Sequence, residues 1–95
     1  DLAPHDLIIE GFVTFDREVS LLGVRSRTGA VCFYPLVENH HRGGILRLSL
    51  APAPGRIEAL QARAETIGRA ALERLDYVGV LAIEFFACGD RLLVN

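Results

Sequence analysis

The alternation of apolar and polar residues along the chain predicts six short β-strands around a single helix. Each strand segment is rich in β-branched and apolar residues and is too short to be a typical helix. The predicted strands cover residues 7–13, 17–27, 31–36, 45–50, 78–86 and 92–94. Thr28-Gly29 is a hairpin turn signal between two of these strands. The polar residues 38–44 predict a loop between two others.

A helix is predicted over residues 56–75, where apolar residues return every three or four positions. Its apolar stripe consists of Ile57, Leu60, Ala64, Ile67, Ala71 and Leu75. Apolar and polar residues alternate over residues 45–50, which predicts a half-buried strand. Short turns join neighbouring strands, so the sheet is expected to be antiparallel with the helix covering one face. The predicted fold class is therefore α+β.

The size of the chain allows one small domain, residues 1–95. Hydrophobic residues make up 51% of it, which indicates either a buried sheet or a piece of a larger protein with a bare interface. The chain stops at Asn95, directly after strand residues, and a terminus inside a sheet is uncommon. We therefore expect a partial domain that is truncated.

Charge and cysteine content exclude several classes of function. The net charge of −2 provides no broad basic field for nucleic acid. No apolar run approaches the ~20 residues of a membrane span, and no signal peptide is visible, so the expected location is cytoplasmic. Cys32 and Cys88 lie in apolar, strand-like runs. We expect buried free thiols there in preference to a disulfide or a metal pair.

Glu84 interrupts the apolar run 78–86 and is the clearest candidate for chemistry. A carboxylate in a strand buried on both faces is costly unless it is paired, exposed or metal-bound. Mg²⁺ would relieve that cost, because it prefers carboxylate oxygens together with substrate phosphates. A second acidic ligand is then expected on the strand after the Gly89-Asp90 turn. The alternative is a carboxylate on the solvent face of an edge strand.

Two acidic residues near the first predicted strand suggest contacts with a nucleoside. The strand end Glu10-Gly11-Phe12-Val13 offers backbone groups to a flat heterocycle such as adenine. Glu18, a few residues later, can accept both ribose hydroxyls. The alternative is two ordinary surface acids flanking a turn.

The predicted loop 38–44 combines charge with glycine. Gly43-Gly44 permits close approach of a phosphate to the backbone, and His41 and Arg42 supply positive charge. The alternative is a flexible polar connection. Neither a nucleophile motif nor a P-loop occurs in the sequence.

Four segments, taken in order, carry a family resemblance that extends over essentially the whole chain. They are residues 10–20, residues 33–47 with the run Phe33-Tyr-Pro-Leu-Val-Glu-Asn39, residues 75–86 and residues 92–95. Each segment alone is a weak signal, but the ordered set is specific. The set resembles the 5-(carboxyamino)imidazole ribonucleotide synthases, a family of ATP-grasp enzymes.

The resemblance implies the larger lobe of an ATP-grasp domain, which binds ATP and Mg²⁺. It implies a ligase in which ATP phosphorylates bicarbonate and the carboxyphosphate carboxylates the amine of 5-aminoimidazole ribonucleotide. Matched by position, residues Glu10, Gly11, Phe12 and Val13 resemble the adenine-contacting hinge, Glu18 the ribose ligand and His41 a nucleotide contact. Glu84 matches the first Mg²⁺ ligand, and Asn95 matches the first residue of the Asn-Glu pair that completes the metal site.

The same resemblance implies a homodimer for the parent enzyme and an inactive isolated fragment, because too few phosphate and metal ligands remain in 95 residues. Two other interpretations stay open. One is another ATP-grasp ligase or carboxylase, against which the run 33–39 argues. The other is a stand-alone module of sheet and helix that is not catalytic and binds only nucleotide or a protein partner.

Overall fold

The computed structural model describes residues 7–95 and shows an antiparallel sheet with a helix on one face. The strands are β1 (Arg17–Arg25), β2 (Val31–Phe33), β3 (Val37–Arg42), β4 (Ile45–Leu50), β5 (Gly79–Cys88) and β6 (Arg91–Val94), and helix α1 is Glu58–Arg74. The strand order is β4-β3-β1-β5-β6, with β2 also paired to β1. All these pairings are antiparallel, so the predicted α+β fold is confirmed.

Strand β1 is the centre of the sheet and separates its two faces. It pairs with β5 from Arg17, opposite Ala87, to Arg25, opposite Gly79. Successive side chains of a strand point to opposite faces. Val19, Leu21 and Phe85 are buried beneath the helix. The even-numbered residues of β1 and β5 therefore lie on the other face, which no element covers among residues 7–95.

Helix α1 closes the core with residues four positions apart. Its buried residues are Leu60, Ala64, Gly68 and Leu72. The predicted stripe is right for Leu60 and Ala64 but wrong for Leu75, which caps the helix and is 66% exposed. The chain turns directly after Leu75, at Asp76, whose φ is 47°.

Residues 7–13 do not form the predicted strand. Ile8, Ile9 and Phe12 are 87%, 94% and 96% exposed. A strand requires a paired neighbour, and within the described part of the chain no strand pairs with this segment. Apolar composition alone is therefore insufficient to make it a strand.

The prediction of a loop over residues 38–44 is also wrong, because most of this stretch is β3. Its polar side chains have specific partners. The carboxylate of Glu38, which is buried, lies 3.0 Å from Arg17 and 2.9 Å from His40. Gly43 and Gly44, with φ of 59° and 76°, form the tight turn into β4. Strand pairing on both sides overrides the loop-like composition.

Exposure at the rim of the sheet differs from two further predictions. Strand β4 forms as predicted, but the prediction that it is half-buried is wrong: all its residues are exposed, because β4 lies at the edge of the sheet while α1 packs against β1 and β6. Cys32 and Cys88 are free, as predicted, but both are exposed where burial is predicted. Within residues 7–95, no helix is long and apolar enough to cross a membrane.

Gly68 allows the closest approach of α1 to the sheet. A Cβ there would lie 2.8 Å from Phe33 and 2.9 Å from Leu21. We expect Gly68→Ala to lower the free energy of unfolding by about 1–3 kcal/mol, because overpacking outweighs alanine's better helix propensity. Urea denaturation of the chain measures this. Gly11→Ala is the matched control, since no atom lies within 4 Å of its Cβ position. Equal stability of the two variants would contradict the packing.

Candidate functional site

The uncovered face of the sheet brings together polar residues from β1, β3 and β5 with Asn95. Ser20 on β1 lies opposite Glu84 on β5, and Glu18 lies opposite Asn39 on β3. The backbone N–H of Asn95 donates a hydrogen bond of 2.9 Å to the carbonyl of Glu84. Residues far apart in sequence are therefore adjacent on one surface.

These residues line a small cleft of about 80 Å³. Its lining consists of Glu18, Val19, Asn39, His41, Glu84, Phe85 and Asn95. Two carboxylates, two amides and one imidazole thus surround the same space. Such a set can accept hydrogen bonds from hydroxyls and can supply oxygen ligands to a cation.

A larger cleft of about 370 Å³ adjoins the small one, and Asn95 belongs to both. Its lining consists of Glu10, Gly11, Phe12, Val13, Phe15, Phe86, Leu93, Val94 and Asn95. The rings of Phe15 and Phe86 stack with their centroids 4.5 Å apart and their planes 23° from parallel. A flat aromatic wall beside backbone that pairs with no strand suits a planar heterocycle.

Glu18 and His41 are directly paired across β1 and β3. The Nδ1 atom of His41 lies 2.6 Å from a carboxylate oxygen of Glu18. Both side chains are partly exposed, at 37% for His41 and 26% for Glu18. The pair leaves the Nε2 atom of His41 and the second oxygen of Glu18 available to a ligand.

Asn39 links three strands through its side-chain amide. It donates to the hydroxyl of Ser20 at 3.1 Å and accepts from the hydroxyl of Ser49 at 2.8 Å. These bonds connect β3 to β1 on one side and to β4 on the other. Asn39 therefore holds the wall of the small cleft in place.

Glu84 is exposed, so the prediction that its strand is buried on both faces is wrong. Strand β5 carries apolar residues on both faces, but only the face toward α1 is covered by the described elements. Burial by itself therefore does not require a cation at Glu84. The oxygen donors of Glu84 and Asn95 still suit Mg²⁺ chemically. Residues 7–95 contain no cluster of three or more acidic, His or Cys side chains that would hold a metal unaided.

The structure brings together the proposed adenine, ribose and metal residues in two adjoining clefts, but Arg42 and the Gly43-Gly44 turn lie outside both. Sequence reasoning missed Phe15, Asn39 and Phe86. Strand periodicity holds a signal for Phe86, because it lies two residues from Glu84 and hence on the same face. Asn39 was not recognised because its segment was wrongly predicted to be a loop. Nothing in the neighbouring sequence distinguishes Phe15 from a core aromatic residue.

The sequence matches the model of the ATP-grasp domain over residues 2–95. The chain belongs to the ATP-grasp family. A similar curated protein is N5-carboxyaminoimidazole ribonucleotide synthase from Pseudomonas aeruginosa. It is 53% identical over 95 residues, which cover 100% of this chain and 26% of that protein.

Solved structures of similar proteins have the same fold. The N5-carboxyaminoimidazole ribonucleotide synthetase from Thermus thermophilus superimposes with a TM-score of 0.88 at 72% identity, over 90% of this chain and 24% of that one. The N5-carboxyaminoimidazole synthase from Aspergillus clavatus, in complex with ADP and 5-aminoimidazole ribonucleotide, superimposes with a TM-score of 0.79 at 27% identity, over 88% and 22%. The chain spans about a quarter of the length of the proteins that it matches.

Removal of the Asn39 amide tests how the cleft wall is held. We expect Asn39→Ala to speed hydrogen exchange of the β3–β4 amides about thirtyfold, because it removes two neutral hydrogen bonds that each stabilise by about 1 kcal/mol. Exchange in α1 and β5 should stay unchanged. Asn95→Ala serves as the control, since it removes an amide from the same cleft but not from the link to Ser20 and Ser49. Unchanged exchange in β3–β4 of Asn39→Ala would contradict the assignment.

Proposed function

We propose that this chain is the nucleotide-binding part of a ligase that carboxylates 5-aminoimidazole ribonucleotide with bicarbonate, using ATP and Mg²⁺. The main support is its 72% identity to the Thermus thermophilus N5-carboxyaminoimidazole ribonucleotide synthetase, joined with the grouping of Glu18, Glu84 and Asn95 in one cleft. Residues 1–95 are proposed to form a single partial domain, and the first six lie outside the described residues.

The larger cleft is the proposed adenine site. The stacked rings of Phe15 and Phe86 provide its apolar wall, and the backbone of residues 10–13 provides hydrogen bonds to the edge of the base. Because the chain at Glu10, Gly11, Phe12 and Val13 pairs with no strand of the described structure, its backbone groups are available for that purpose. Apolar stacking combined with a few fixed polar contacts is typical of cofactor sites.

Glu18 is the proposed ligand of the ribose hydroxyls. Its carboxylate accepts hydrogen bonds from them, while the bond to His41 holds it in position. The free nitrogen of His41 then faces the phosphate side of the nucleotide. Since the adenine and ribose sites meet at Asn95, one nucleoside can occupy both clefts.

Glu84 and Asn95 are the proposed Mg²⁺ ligands on this chain. The backbone hydrogen bond between them, 2.9 Å long, keeps their side chains at the same end of the β5–β6 hairpin. Bound there, Mg²⁺ would screen the charge of the phosphates. One carboxylate is a sparse site, so phosphate oxygens and ligands from a longer protein would complete it.

The proposed reaction has two steps. A bicarbonate oxygen takes the γ-phosphoryl group of ATP, which yields carboxyphosphate and ADP. The amine of the ribonucleotide then attacks the carboxyl carbon, phosphate leaves, and the nitrogen loses a proton. The chain's own residues bind and orient the nucleotide for the first step. We expect the 95 residues alone not to turn over, because the small cleft offers only Glu18 and Glu84 as acids.

Homodimerisation and a cytoplasmic location complete the proposal for the longer protein. The homodimer comes from the family resemblance, and the location is the sequence-based expectation. Sedimentation equilibrium of that protein would test the first, since a monomer at micromolar concentration would contradict a homodimer.

The test is ATP hydrolysis by a protein that carries this chain at the length of its relatives. With bicarbonate present, addition of 5-aminoimidazole ribonucleotide should stimulate hydrolysis. Glu84→Gln should lower the rate by about a hundredfold or more, because the cation loses its charged ligand. Glu73→Gln, at an exposed position of α1, is the matched control and should retain the activity.

Two results would count against the proposal in different ways. Hydrolysis that ignores the ribonucleotide would mean that the substrate is wrong and would favour another ATP-grasp ligase. Full activity of Glu84→Gln would mean that this carboxylate is an ordinary exposed residue of the sheet.

A further inference from the structure

Strand β4 contains a bulge at Arg47. His40 lies opposite Leu48 and His41 lies opposite Leu46, so Arg47 has no partner residue on β3. An extra residue of this kind bends the strand and redirects its own side chain, and bulges are frequent beside functional sites. The tight turn at Gly43-Gly44 is sufficient to connect β3 and β4. The hairpin therefore does not need the bulge in order to form.

The bulge places Arg47 at an exposed cleft of about 580 Å³ whose lining is entirely basic. The lining residues are His40, His41, Arg42 and Arg47. Within residues 7–95, neither Arg42 nor Arg47 forms an ion pair with a carboxylate. Two guanidinium groups that share a cleft repel each other unless an anion lies between them.

Carboxylates hold the two imidazoles from outside this cleft. Glu38 bonds Nε2 of His40 at 2.9 Å, and Glu18 bonds Nδ1 of His41 at 2.6 Å. Each ring therefore keeps its other nitrogen for a ligand. The charge of Glu38 is also shared with Arg17, 3.0 Å away. The two arginines thus remain the uncompensated charges of the cleft.

The basic cleft is continuous with the candidate nucleotide site. His41 lines both the basic cleft and the small cleft that contains Glu18 and Glu84. A chemical group bound in one cleft would therefore lie next to a group bound in the other.

We propose that the basic cleft is a phosphate-binding subsite with Arg47 as its principal ligand. A guanidinium fork binds two phosphate oxygens at once, which matches tetrahedral phosphate groups better than a point charge does. The phosphate belongs either to the polyphosphate end of the nucleotide in the adjoining cleft or to a second phosphorylated substrate. The subsite depends on Arg42 and Arg47 and does not require the proposed ligase reaction.

The first test titrates the 95-residue chain with inorganic pyrophosphate and follows the side-chain NMR signals of Arg47 and His41. Arg47→Gln should weaken pyrophosphate binding about tenfold, because it removes charge-assisted hydrogen bonds, which are stronger than those between neutral groups. Arg63→Gln makes the same charge change at an exposed position of α1 and should weaken binding less than about twofold, because it removes only a distant, screened charge.

An equal loss in both variants would overturn the subsite, because it would show attraction to net charge alone. Shifts centred on α1 in place of the β3–β4 hairpin would overturn it as well. If circular dichroism shows that Arg47→Gln is unfolded, Arg42→Gln takes its place, with an expected weakening of about threefold for a second contact.

The second test identifies the source of the phosphate. Wild type and Arg47→Gln are compared for binding of adenosine, AMP, ADP and ATP. A penalty that grows with the number of phosphates assigns the subsite to the nucleotide's polyphosphate. No penalty for any nucleotide, together with pyrophosphate binding that persists at saturating ATP, assigns it to a second phosphorylated substrate. Pyrophosphate binding that Arg47→Gln leaves unchanged overturns the subsite from either source.

Discussion

The antiparallel pairing of β1 with β5 is the constraint on which the fold and the candidate site both depend. It runs from Arg17 opposite Ala87 to Arg25 opposite Gly79 without interruption. A shift of the register by one residue would exchange the two faces. Val19 would then lose its place under the helix, and Glu84 would enter the core. Burial of one face therefore fixes the position of the acids on the other.

The remaining elements add the other site residues to this central pair. The hairpin of β5 and β6 brings Asn95 beside Glu84, and β3 brings His41 beside Glu18. Strand β3 is itself anchored on the helix side, where Glu38 binds Arg17. Core packing and site geometry are thus consequences of the same strand positions. The fold is similar to that of much longer enzymes, of which this chain covers about a quarter.

Local patterns in the sequence predicted the elements whose partners are close along the chain. The turn at Thr28-Gly29, helix α1 and the β5–β6 hairpin each follow from spacing or turn residues within a few positions. The errors at residues 7–13 and 38–44 have one physical cause. Whether a segment is a strand depends on a neighbour that can be distant in sequence, and composition does not report that neighbour.

The candidate site shows the same limit at Glu84, since an apolar run does not reveal which face of its strand is covered. The grouping of Glu18, His41 and Asn95 was implied by the family resemblance, and no spacing rule supplied it.

In the proposed function, the uncovered face of β1 and β5 holds a nucleotide and its cation together. The most direct measurement is paramagnetic broadening of backbone amide signals in the 95-residue chain when Mn²⁺, in place of Mg²⁺, is added with ADP. We expect the strongest broadening at Glu84 and Asn95, weaker broadening at Glu18, and the weakest along α1, which lies on the far side of the sheet. Broadening centred on the helix side, near Glu38, or broadening that does not depend on ADP, would contradict it.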